Sequence, residues 1–503
     1  MGRTAAAMMD FARRISHSGP GFGRRVVAGA IKETLYYTVG LVVLRAIGLI
    51  MLPVNTYFLS SAEYGRLEVL LSFIDVGALL FGLALPAALS RFVGTVETWE
   101  ARKAVCAEYA GLALLVSGTL VALGVIFSAP IIGLLPEAVS RTEFLLLLGA
   151  ICVEGVLGVG LTWMRIRGAA RTFLIMSLTR ALAQAVLSGT LLALGFGVEG
   201  VLIASASAAL AQGAAMLAYL ARDCGISIRF ARWREMVFYC GPLLLSALAA
   251  FVLGSYDRWV LVLHVSPEQI ALYGVAGRLG GLTAVLLQPF HMWWFPKRFI
   301  VLAEERGPER SADIVSLGYL IVLSAAVVVS LGGPFAVHVL TREAYWGASA
   351  FIGFIALNYA IQETGSLLEI GCYLRKDGFA PLVINLIGAG LAIVLYYTLI
   401  PVYGVAGAVG ATLMAQTVRV LVTYLVSRYY APIPYHFGPL ALVTLVAVAL
   451  TALTYAFLPP LVMPLGGAVV LAVIAAMTWK LRLLPAMDPD ELPDFIRRRL
   501  PRA

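Results

Sequence analysis

The sequence predicts an all-α polytopic membrane protein, and its composition gives the first reason. Of its 503 residues, 61% are hydrophobic and only 13% are charged, and the mean hydropathy is +0.91. In soluble proteins roughly a quarter of the residues are charged. Apolar runs of about 20 residues, each long enough to cross a hydrocarbon core of about 30 Å, recur from Thr34 to Leu484. An internal repeat divides these runs into two similar halves.

About fourteen apolar segments are predicted to be transmembrane helices. The connections between them are mostly shorter than about twenty residues, so no soluble domain fits between any two. The predicted spans are 34–58, 68–92, 105–129, 143–163, 172–195, 200–221, 237–263, 270–296, 313–331, 349–372, 381–400, 404–427, 437–458 and 462–484.

The distribution of lysine and arginine predicts the orientation of these spans. With the N-terminus placed inside, 29 of the 37 Lys and Arg residues lie in inner segments and three in outer loops. Cytoplasmic loops of inner-membrane proteins are rich in Lys and Arg, so both termini are expected in the cytoplasm. The N-terminal segment has no apolar core and does not resemble a cleavable signal peptide. The net charge of +9 therefore indicates topology and contact with anionic lipid, rather than nucleic-acid binding.

Several short motifs recur in order at a nearly constant displacement. Tyr64-Gly65 returns 209 residues later as Tyr273-Gly274, and Glu154 lies 209 residues before Glu363. Each of these acids falls in the fourth predicted helix of its half. One match could arise by chance, whereas several in the same order indicate an internal repeat.

The repeat predicts two six-helix halves followed by two further helices. An even number of spans in each half makes the halves parallel, related by an axis along the membrane normal. Repeats of this kind enclose a substrate site between them and work by alternating access. The predicted segments are a basic cytoplasmic N-terminal segment 1–33, a first half 34–221, a cytoplasmic linker 222–236, a second half 237–427, a two-helix appendix 428–484 and a basic cytoplasmic tail 485–503.

Neither the cysteines nor the histidines show the spacing of a metal or redox site. The five cysteines are scattered through apolar segments, and the five histidines form no H-x-x-x-H pair. The cysteines are expected to be small core residues, and no metal or organic cofactor is expected.

A membrane enzyme that polymerises or ligates glycans is the least favoured class. Such an enzyme needs groups that perform catalysis, and these are usually held in a sizeable outer loop. The longest outer connection, about 331–349, contains only Arg342 and Glu343 as charged residues. The chain is therefore expected not to be an enzyme.

Four sets of motifs carry a family resemblance that extends over 34–484. They are Leu52-Pro53 followed by Glu63-Tyr64-Gly65, Asp257-Arg258 before Leu272-Tyr273-Gly274, Trp294-Phe295-Pro296, and Lys376-Asp377-Gly378. With these motifs and the predicted layout of six, six and two helices, the sequence resembles the polysaccharide-flippase branch of the multidrug/oligosaccharidyl-lipid/polysaccharide exporter superfamily.

The resemblance implies a flippase that moves an undecaprenyl-diphosphate-linked oligosaccharide across the inner membrane. Its product would be a surface polysaccharide, such as the O-antigen of lipopolysaccharide or an exopolysaccharide. The implied partners are the lipid-linked substrate, membrane lipids and polysaccharide-assembly proteins, with coupling by H⁺ or Na⁺. Peptidoglycan-precursor flippases and ion-coupled multidrug antiporters share the superfamily and stay open as alternatives. The precursor flippases place functional arginines in the first and eighth helices, where Arg45 and Arg278 lie here.

Five arginines inside the predicted spans are the candidate substrate-binding residues. They are Arg45, Arg180, Arg258, Arg278 and Arg419. An unpaired arginine at membrane depth costs several kcal/mol, so each needs an anionic partner or a water-filled cavity. A planar guanidinium suits bidentate binding of a diphosphate, which favours an anionic cargo. Arg45 could instead form a structural ion pair with Asp75 or Glu154.

Two alternatives stay open for the charged pair in the seventh span. As neighbours on a helix, Asp257 and Arg258 point about 100° apart and are not expected to face each other closely. In one alternative Asp257 pairs with Arg278 and locks the outer gate. In the other, the arginines bind phosphate and Asp257 tunes them.

Four acids are candidates for gating or coupling: Asp75, Glu154, Asp257 and Glu363. A carboxyl group at membrane depth can take up and release a proton during transport. Glu154 and Glu363 could instead form ion pairs with Arg180 or Arg419. Asp75 has the same ambiguity, and nothing in the sequence selects one acid over another.

Overall fold

The computed structural model describes residues 46–136, 138–229, 233–374 and 379–483, together with residues 40 and 43. All regular elements in these ranges are helices, which confirms the predicted all-α class. The α-helices are α1 Ala46–Phe58, α2 Ser61–Gly82, α3 Leu85–Gly94, α4 Trp99–Ile126, α5 Ser128–Leu134, α6 Arg141–Ile151, α7 Glu154–Ile166, α8 Ala170–Ala193, α9 Gly197–Asp223, α10 Trp233–Gly254, α11 Asp257–Leu261, α12 Pro267–Gly280, α13 Leu282–Trp294, α14 Arg298–Leu302, α15 Gly307–Leu340, α16 Ser349–Leu368, α17 Phe379–Tyr430, α18 Phe437–Phe457 and α19 Met463–Lys480. Two 3₁₀ segments, Glu343–Ala348 and Glu369–Tyr373, flank α16.

Eleven helical segments in the described residues are long and apolar enough to cross a membrane. Ten of them coincide with single predicted spans. The eleventh, α17, is 52 residues long and covers the predicted spans 381–400 and 404–427. The shorter apolar helices α1 and α10 fall in the predicted spans 34–58 and 237–263. The polytopic class is confirmed, and the number of fourteen crossings stays a prediction.

Helix α17 is divided by a local break at Gly404. This residue has φ 56° and ψ −130°, a conformation that glycine adopts readily because it has no Cβ. Pro401 lies three residues earlier and cannot donate a backbone N–H to the helix. The two residues together explain a break between the two predicted spans.

Packing divides the described chain into two compact units. Unit 1 contains the described residues up to 51 together with 81–127 and 145–236, and unit 2 contains 52–80, 128–144 and the described residues from 237 onwards. The segment 52–80 belongs to the first half of the sequence repeat and yet packs within unit 2. The predicted domain boundaries in the sequence stay a prediction.

Two helix starts in unit 2 are fixed by capping boxes. At the start of α2, the Ser60 backbone N–H donates to Glu63 Oε2 at 2.9 Å, and the Glu63 backbone N–H donates to Ser60 Oγ at 3.2 Å. Ser140 and Glu143 make the same reciprocal pair at the start of α6, at 2.8 and 3.1 Å. Each box satisfies backbone donors that have no partner within the helix. Glu143 also accepts from Arg66 Nη1 at 2.7 Å, which ties α6 to α2.

Helix α15 is the most deeply buried candidate span and forms the centre of unit 2. On one side its residues pack with α13 and α16, and on the other with α18 and α19. In unit 1, the fully buried Trp163 of α7 stacks on Trp99 of α4 with ring centres 5.4 Å apart. The Trp163 indole N–H donates to Asp223 at the end of α9 at 2.7 Å, so three helices meet at this side chain.

Candidate functional site

The repeated Tyr-Gly motifs meet in unit 2, where α2 crosses α12. A Cβ placed on Gly65 would lie 1.8 Å from the carbonyl oxygen of Pro267, so only glycine permits this approach of the two backbones. A Cβ on Gly274 would lie 2.5 Å from Cγ of Glu68. The two glycines of the repeat therefore allow two helices, one from each half of the sequence, to pack closely.

Glu68 lies at this crossing and holds two arginines of the second half. Arg278 donates to Glu68 Oε1 from Nη2 at 2.7 Å and from Nε at 3.0 Å. Arg258 Nε lies 3.8 Å from Glu68 Oε2. The Glu68 side chain is only 6% exposed, so its charge depends on these guanidinium groups for compensation.

Arg258 is bound more loosely than Arg278. Its guanidinium lies 3.6 Å from Asp257 Oδ1, and it donates one long hydrogen bond of 3.4 Å to the carbonyl oxygen of Gly254. A guanidinium has five N–H donors, so most of those on Arg258 have no strong partner in the described part of the chain.

Arg258 lines a cavity of about 40 Å³ with the side chains of Asn358 and Gln362. The buried Asn358 Oδ1 has no hydrogen-bond partner among the described residues.

Aromatic rings complete the surroundings of the cluster. The Arg278 guanidinium lies 5.3 Å from the ring centre of the fully buried Tyr64. Tyr64 packs edge-to-face on Tyr345, whose hydroxyl donates to the carbonyl oxygen of Leu59 at 3.1 Å. The Arg258 guanidinium lies 5.5 Å from the ring centre of Tyr273. Rings at these distances stabilise a cation and exclude water from it.

The structure corrects two expectations for Asp257, namely its pairing with Arg278 and its separation from the Arg258 side chain. Arg278 takes its carboxylate from Glu68, so the predicted Asp257–Arg278 pair is wrong. Asp257 instead accepts from the Tyr273 hydroxyl and from the Arg258 backbone N–H, the latter at 2.9 Å. The expectation that Asp257 and Arg258 stay apart is also wrong. Because the Asp257 carboxylate folds back onto the Arg258 backbone at the start of α11, the Arg258 side chain can reach the same oxygen.

Unit 1 contains a second, separate pair. Arg180 Nη2 donates to Glu154 Oε1 at 3.1 Å, and Arg180 Nη1 donates to Gln212 Oε1 at 3.2 Å. Gln212 in turn donates to the carbonyl oxygen of Met176 at 3.2 Å. The structure thus favours the ion-pair alternative for Glu154. Helices α7, α8 and α9, which are consecutive in the chain, supply all of these groups.

Arg419 and Glu363 of unit 2 are both in the described residues and make no direct ion pair, although their charges interact electrostatically. Arg419 donates to Gln416 Oε1 at 2.7 Å and to Asn385 Oδ1 at 3.4 Å, both of them neutral amides. The predicted partner of Arg419, Glu363, is buried and lies 3.5 Å from His291 Nε2. The two glutamates at equivalent repeat positions therefore have unlike neighbours.

Asp75 and Arg45 complete the predicted residues. Asp75 is exposed and accepts from the Ser255 hydroxyl at 3.1 Å. Arg45 lies outside the described residues. No group of three His, Cys, Asp or Glu side chains suited to a metal ion occurs in the part of the chain that is described.

Sequence reasoning missed Glu68, which is the central carboxylate of the cluster. The predicted second span begins at this residue, which places its charge at the end of a helix. In the structure Glu68 lies three residues after Gly65 and about two turns inside α2. An acid two turns inside an apolar helix needs a cation from elsewhere in the fold.

The sequence family described as polysaccharide biosynthesis protein matches residues 30–299, more than half of the chain. The chain belongs to this family. The match confirms the resemblance drawn from the motifs, and it includes Glu68, Arg258 and Arg278. No curated protein matches the chain.

Solved structures support the fold. A lipid II flippase MurJ in an inward closed conformation has a TM-score of 0.66 and 12% identity, and covers 90% of this chain and 100% of its own length. An inward-facing multidrug resistance MATE transporter of the MOP superfamily has a TM-score of 0.54 and 16% identity, with 80% of this chain and 94% of its own length covered. At these identities the likeness establishes the fold alone.

Proposed function

We propose that this protein is a flippase that moves an undecaprenyl-diphosphate-linked oligosaccharide from the inner to the outer leaflet of the cytoplasmic membrane. Transport would proceed by alternating access, with both termini in the cytoplasm, and would supply surface polysaccharide synthesis. Membership of the polysaccharide biosynthesis family and the transporter fold support this proposal. Polysaccharide-assembly proteins are its proposed partners in the membrane.

The observation that carries the proposal is the pair of arginines held by Glu68. Arg258 and Arg278 lie in buried surroundings and share the Glu68 carboxylate, and Arg258 also lies beside Asp257. Guanidinium groups form strong, paired hydrogen bonds with phosphate oxygens. A diphosphate offers the same kind of acceptor as Glu68 and carries more negative charge. The cluster therefore suits an anionic headgroup better than a cationic drug.

Glu68 gives the site a way to respond to its cargo. In the structure Glu68 neutralises Arg278, and the same contact holds α2 against α12. A diphosphate that takes over Arg278 and Arg258 would release Glu68 and weaken this crossing. Binding of the headgroup would thus be linked to a change in the packing of the segment 52–80.

The other predicted residues have secondary roles in the proposal. Arg419 donates its hydrogen bonds to neutral amides and remains a proposed cargo contact, whereas Arg180 is paired with Glu154. Glu363 beside His291 is the proposed coupling acid, with H⁺ as the ion. Asp75 and Asp257 are assigned to gating. We keep Arg45 as a proposed diphosphate contact.

The test separates substrate binding from structural pairing in cells that lack their own copy of this flippase. Arg278→Gln should abolish surface polysaccharide while the protein remains in the membrane. The double variant Glu68→Gln/Arg278→Gln removes both charges and should restore stability without restoring polysaccharide. Glu154→Gln/Arg180→Gln is the matched control, because it neutralises an ion pair of unit 1 and should keep most of the activity.

Normal polysaccharide in the Arg278→Gln strain would contradict the proposal. Recovery of polysaccharide in the Glu68→Gln/Arg278→Gln strain would show that the pair is only structural. Export of cationic dyes by purified protein in liposomes, without any effect of a lipid diphosphate, would instead favour a multidrug antiporter.

A further inference from the structure

Cys106 and Cys224 lie together in unit 1 although 118 residues separate them in the chain. Cys106 is in the first third of α4, and Cys224 caps the end of α9. Their sulfur atoms are 3.2 Å apart, with Cys224 in hydrogen-bond contact with Cys106. A disulfide bond requires the sulfurs to approach to about 2 Å, so a shift of about 1 Å would suffice. The sequence predicts small core residues, and Cys106 is indeed fully buried, whereas Cys224 is partly exposed; both are free thiols.

The segment after Cys224 is held along the same helix. The Ser227 backbone N–H donates to the carbonyl oxygen of Ala107 at 3.0 Å. A Cβ on Gly111 would lie 2.0 Å from the carbonyl oxygen of Ser227, so the glycine makes room for this segment. These contacts keep Cys224 beside Cys106 and leave little freedom for the two thiols to separate.

The two thiols differ in exposure and in acidity. Cys106 is completely buried, whereas Cys224 is partly exposed. The hydrogen bond with Cys106 lowers the pKa of Cys224 and outweighs burial and the neighbouring Asp223 carboxylate, which raise it. The positive charge of Lys103 adds a smaller lowering of this pKa. The thiolate is the form of cysteine that attacks a disulfide, and it needs access to the reagent. Both conditions favour Cys224 as the first thiol to react.

We propose that Cys106 and Cys224 are a reversible dithiol–disulfide site. The Cys224 thiolate attacks one sulfur of a small disulfide such as oxidised glutathione, forms a mixed disulfide and releases one thiol. The Cys106 sulfur then attacks Cys224, breaks the mixed disulfide and releases the second thiol. The protein loses two protons and two electrons, and the small disulfide gains them as it becomes two thiols.

The disulfide would restrain a particular part of the chain. Cys224 lies at the start of the predicted linker 222–236, which leads from the first half of the sequence to the second. Linking Cys224 to Cys106 ties this point of the chain to α4. The predicted topology places the pair on the cytoplasmic side, where disulfides are mostly transient and redox-sensing. The site is therefore suited to respond to oxidation rather than to hold the fold permanently.

The test treats the purified full-length protein with oxidised glutathione and maps linked peptides by mass spectrometry. The wild type should give a Cys106–Cys224 peptide that dithiothreitol removes. Cys152→Ser is the matched control, because Cys152 is the other partly exposed cysteine of unit 1. This variant should form the same link, with free thiols falling from four to two.

Single variants test the order of reaction. Cys106→Ser should stop at a stable mixed disulfide between glutathione and Cys224. Cys224→Ser should leave Cys106 unmodified over the same time, because its sulfur is buried. A wild-type protein that keeps Cys106 and Cys224 as free thiols would overturn the proposal. So would a Cys224→Ser variant in which Cys106 reacts as fast as in the wild type.

Discussion

Two of the arginine–glutamate clusters in the described residues, one in each unit, differ in the distance along the chain that they bridge. In unit 2, Glu68 and Arg278 are 210 residues apart and come from different halves of the repeat. In unit 1, Glu154 and Arg180 are 26 residues apart and belong to consecutive helices. Arg278 uses two donors on its carboxylate, whereas Arg180 uses one and shares its guanidinium with Gln212.

This difference distinguishes a movable contact from a permanent one. The unit 1 pair joins neighbouring helices, so it persists in any state in which α7 and α8 stay packed. The unit 2 cluster exists only while the segment 52–80 packs against α12. Interactions that exist in one packing and not in another can shift an equilibrium between states. We therefore expect Glu68 to act in gating and Glu154 to support the packing of unit 1.

The largest expected effect is at the crossing that makes the unit 2 cluster possible. Gly65→Ala would place a Cβ against the backbone of Pro267, which cannot move aside as a side chain can. We expect a loss of stability of about 3 kcal/mol, at the upper end of the range for overpacking. Thermal unfolding of the detergent-solubilised protein measures the loss, and surface polysaccharide should fall with it.

Gly82→Ala provides the control for this substitution. Gly82 belongs to the same helix, and a Cβ there meets nothing within 4 Å. The control should keep the stability and the activity of the wild type. Equal losses of stability in the two variants would mean that α2 is sensitive to alanine at any position. The close approach of α2 to α12 would then not explain the loss at Gly65.

The second prediction compares the two clusters directly by double-mutant cycles. The cycle of Glu68→Gln and Arg278→Gln should give a coupling energy of about 3 kcal/mol, because two donors share a buried carboxylate. The cycle of Glu154→Gln and Arg180→Gln should give about 1 kcal/mol, since Gln212 still supports the guanidinium. Chemical or thermal unfolding in detergent measures both cycles. A larger coupling energy for Glu154 and Arg180 than for Glu68 and Arg278 would contradict the view that the unit 2 cluster is the stronger one.

The smallest effect on stability is expected for variants of Glu154 and Glu363, which occupy equivalent positions in the repeat. These variants are expected to differ in the pH dependence of transport. Glu154 is paired with Arg180, whereas Glu363 and His291 lie 3.5 Å apart and are two groups that can exchange a proton. Glu363→Gln should flatten the pH dependence of transport in membrane vesicles, and Glu154→Gln should leave it unchanged. His291→Gln should reproduce the effect of Glu363→Gln. An unchanged pH profile in both Glu363 and His291 variants would exclude this pair from coupling.

Much of the fold could be predicted from the sequence because membrane insertion depends on local properties. The length and hydropathy of each segment decide whether it can cross a bilayer, and these are read without knowing its neighbours. The Tyr-Gly repeat also pointed to the correct places, since Gly65 and Gly274 both lie at the crossing of α2 and α12. The partners of the charged residues could not be predicted in the same way. The pairing of Asp257 with Arg278 was one of two open alternatives, because neighbouring spans in the sequence do not specify which side chains touch.

The sequence by itself determined the class of the protein, the positions of its apolar helices and its family. These follow from composition, periodicity and motifs, each of which is a property of a short stretch of chain. Only the tertiary structure decided that Glu68 forms ion pairs with Arg278 and Arg258, and that the sulfur atoms of Cys106 and Cys224 are in contact. Both contacts join residues more than a hundred positions apart. They depend on how closely two backbones approach, and Gly65 and Gly111 permit that approach only in the folded chain.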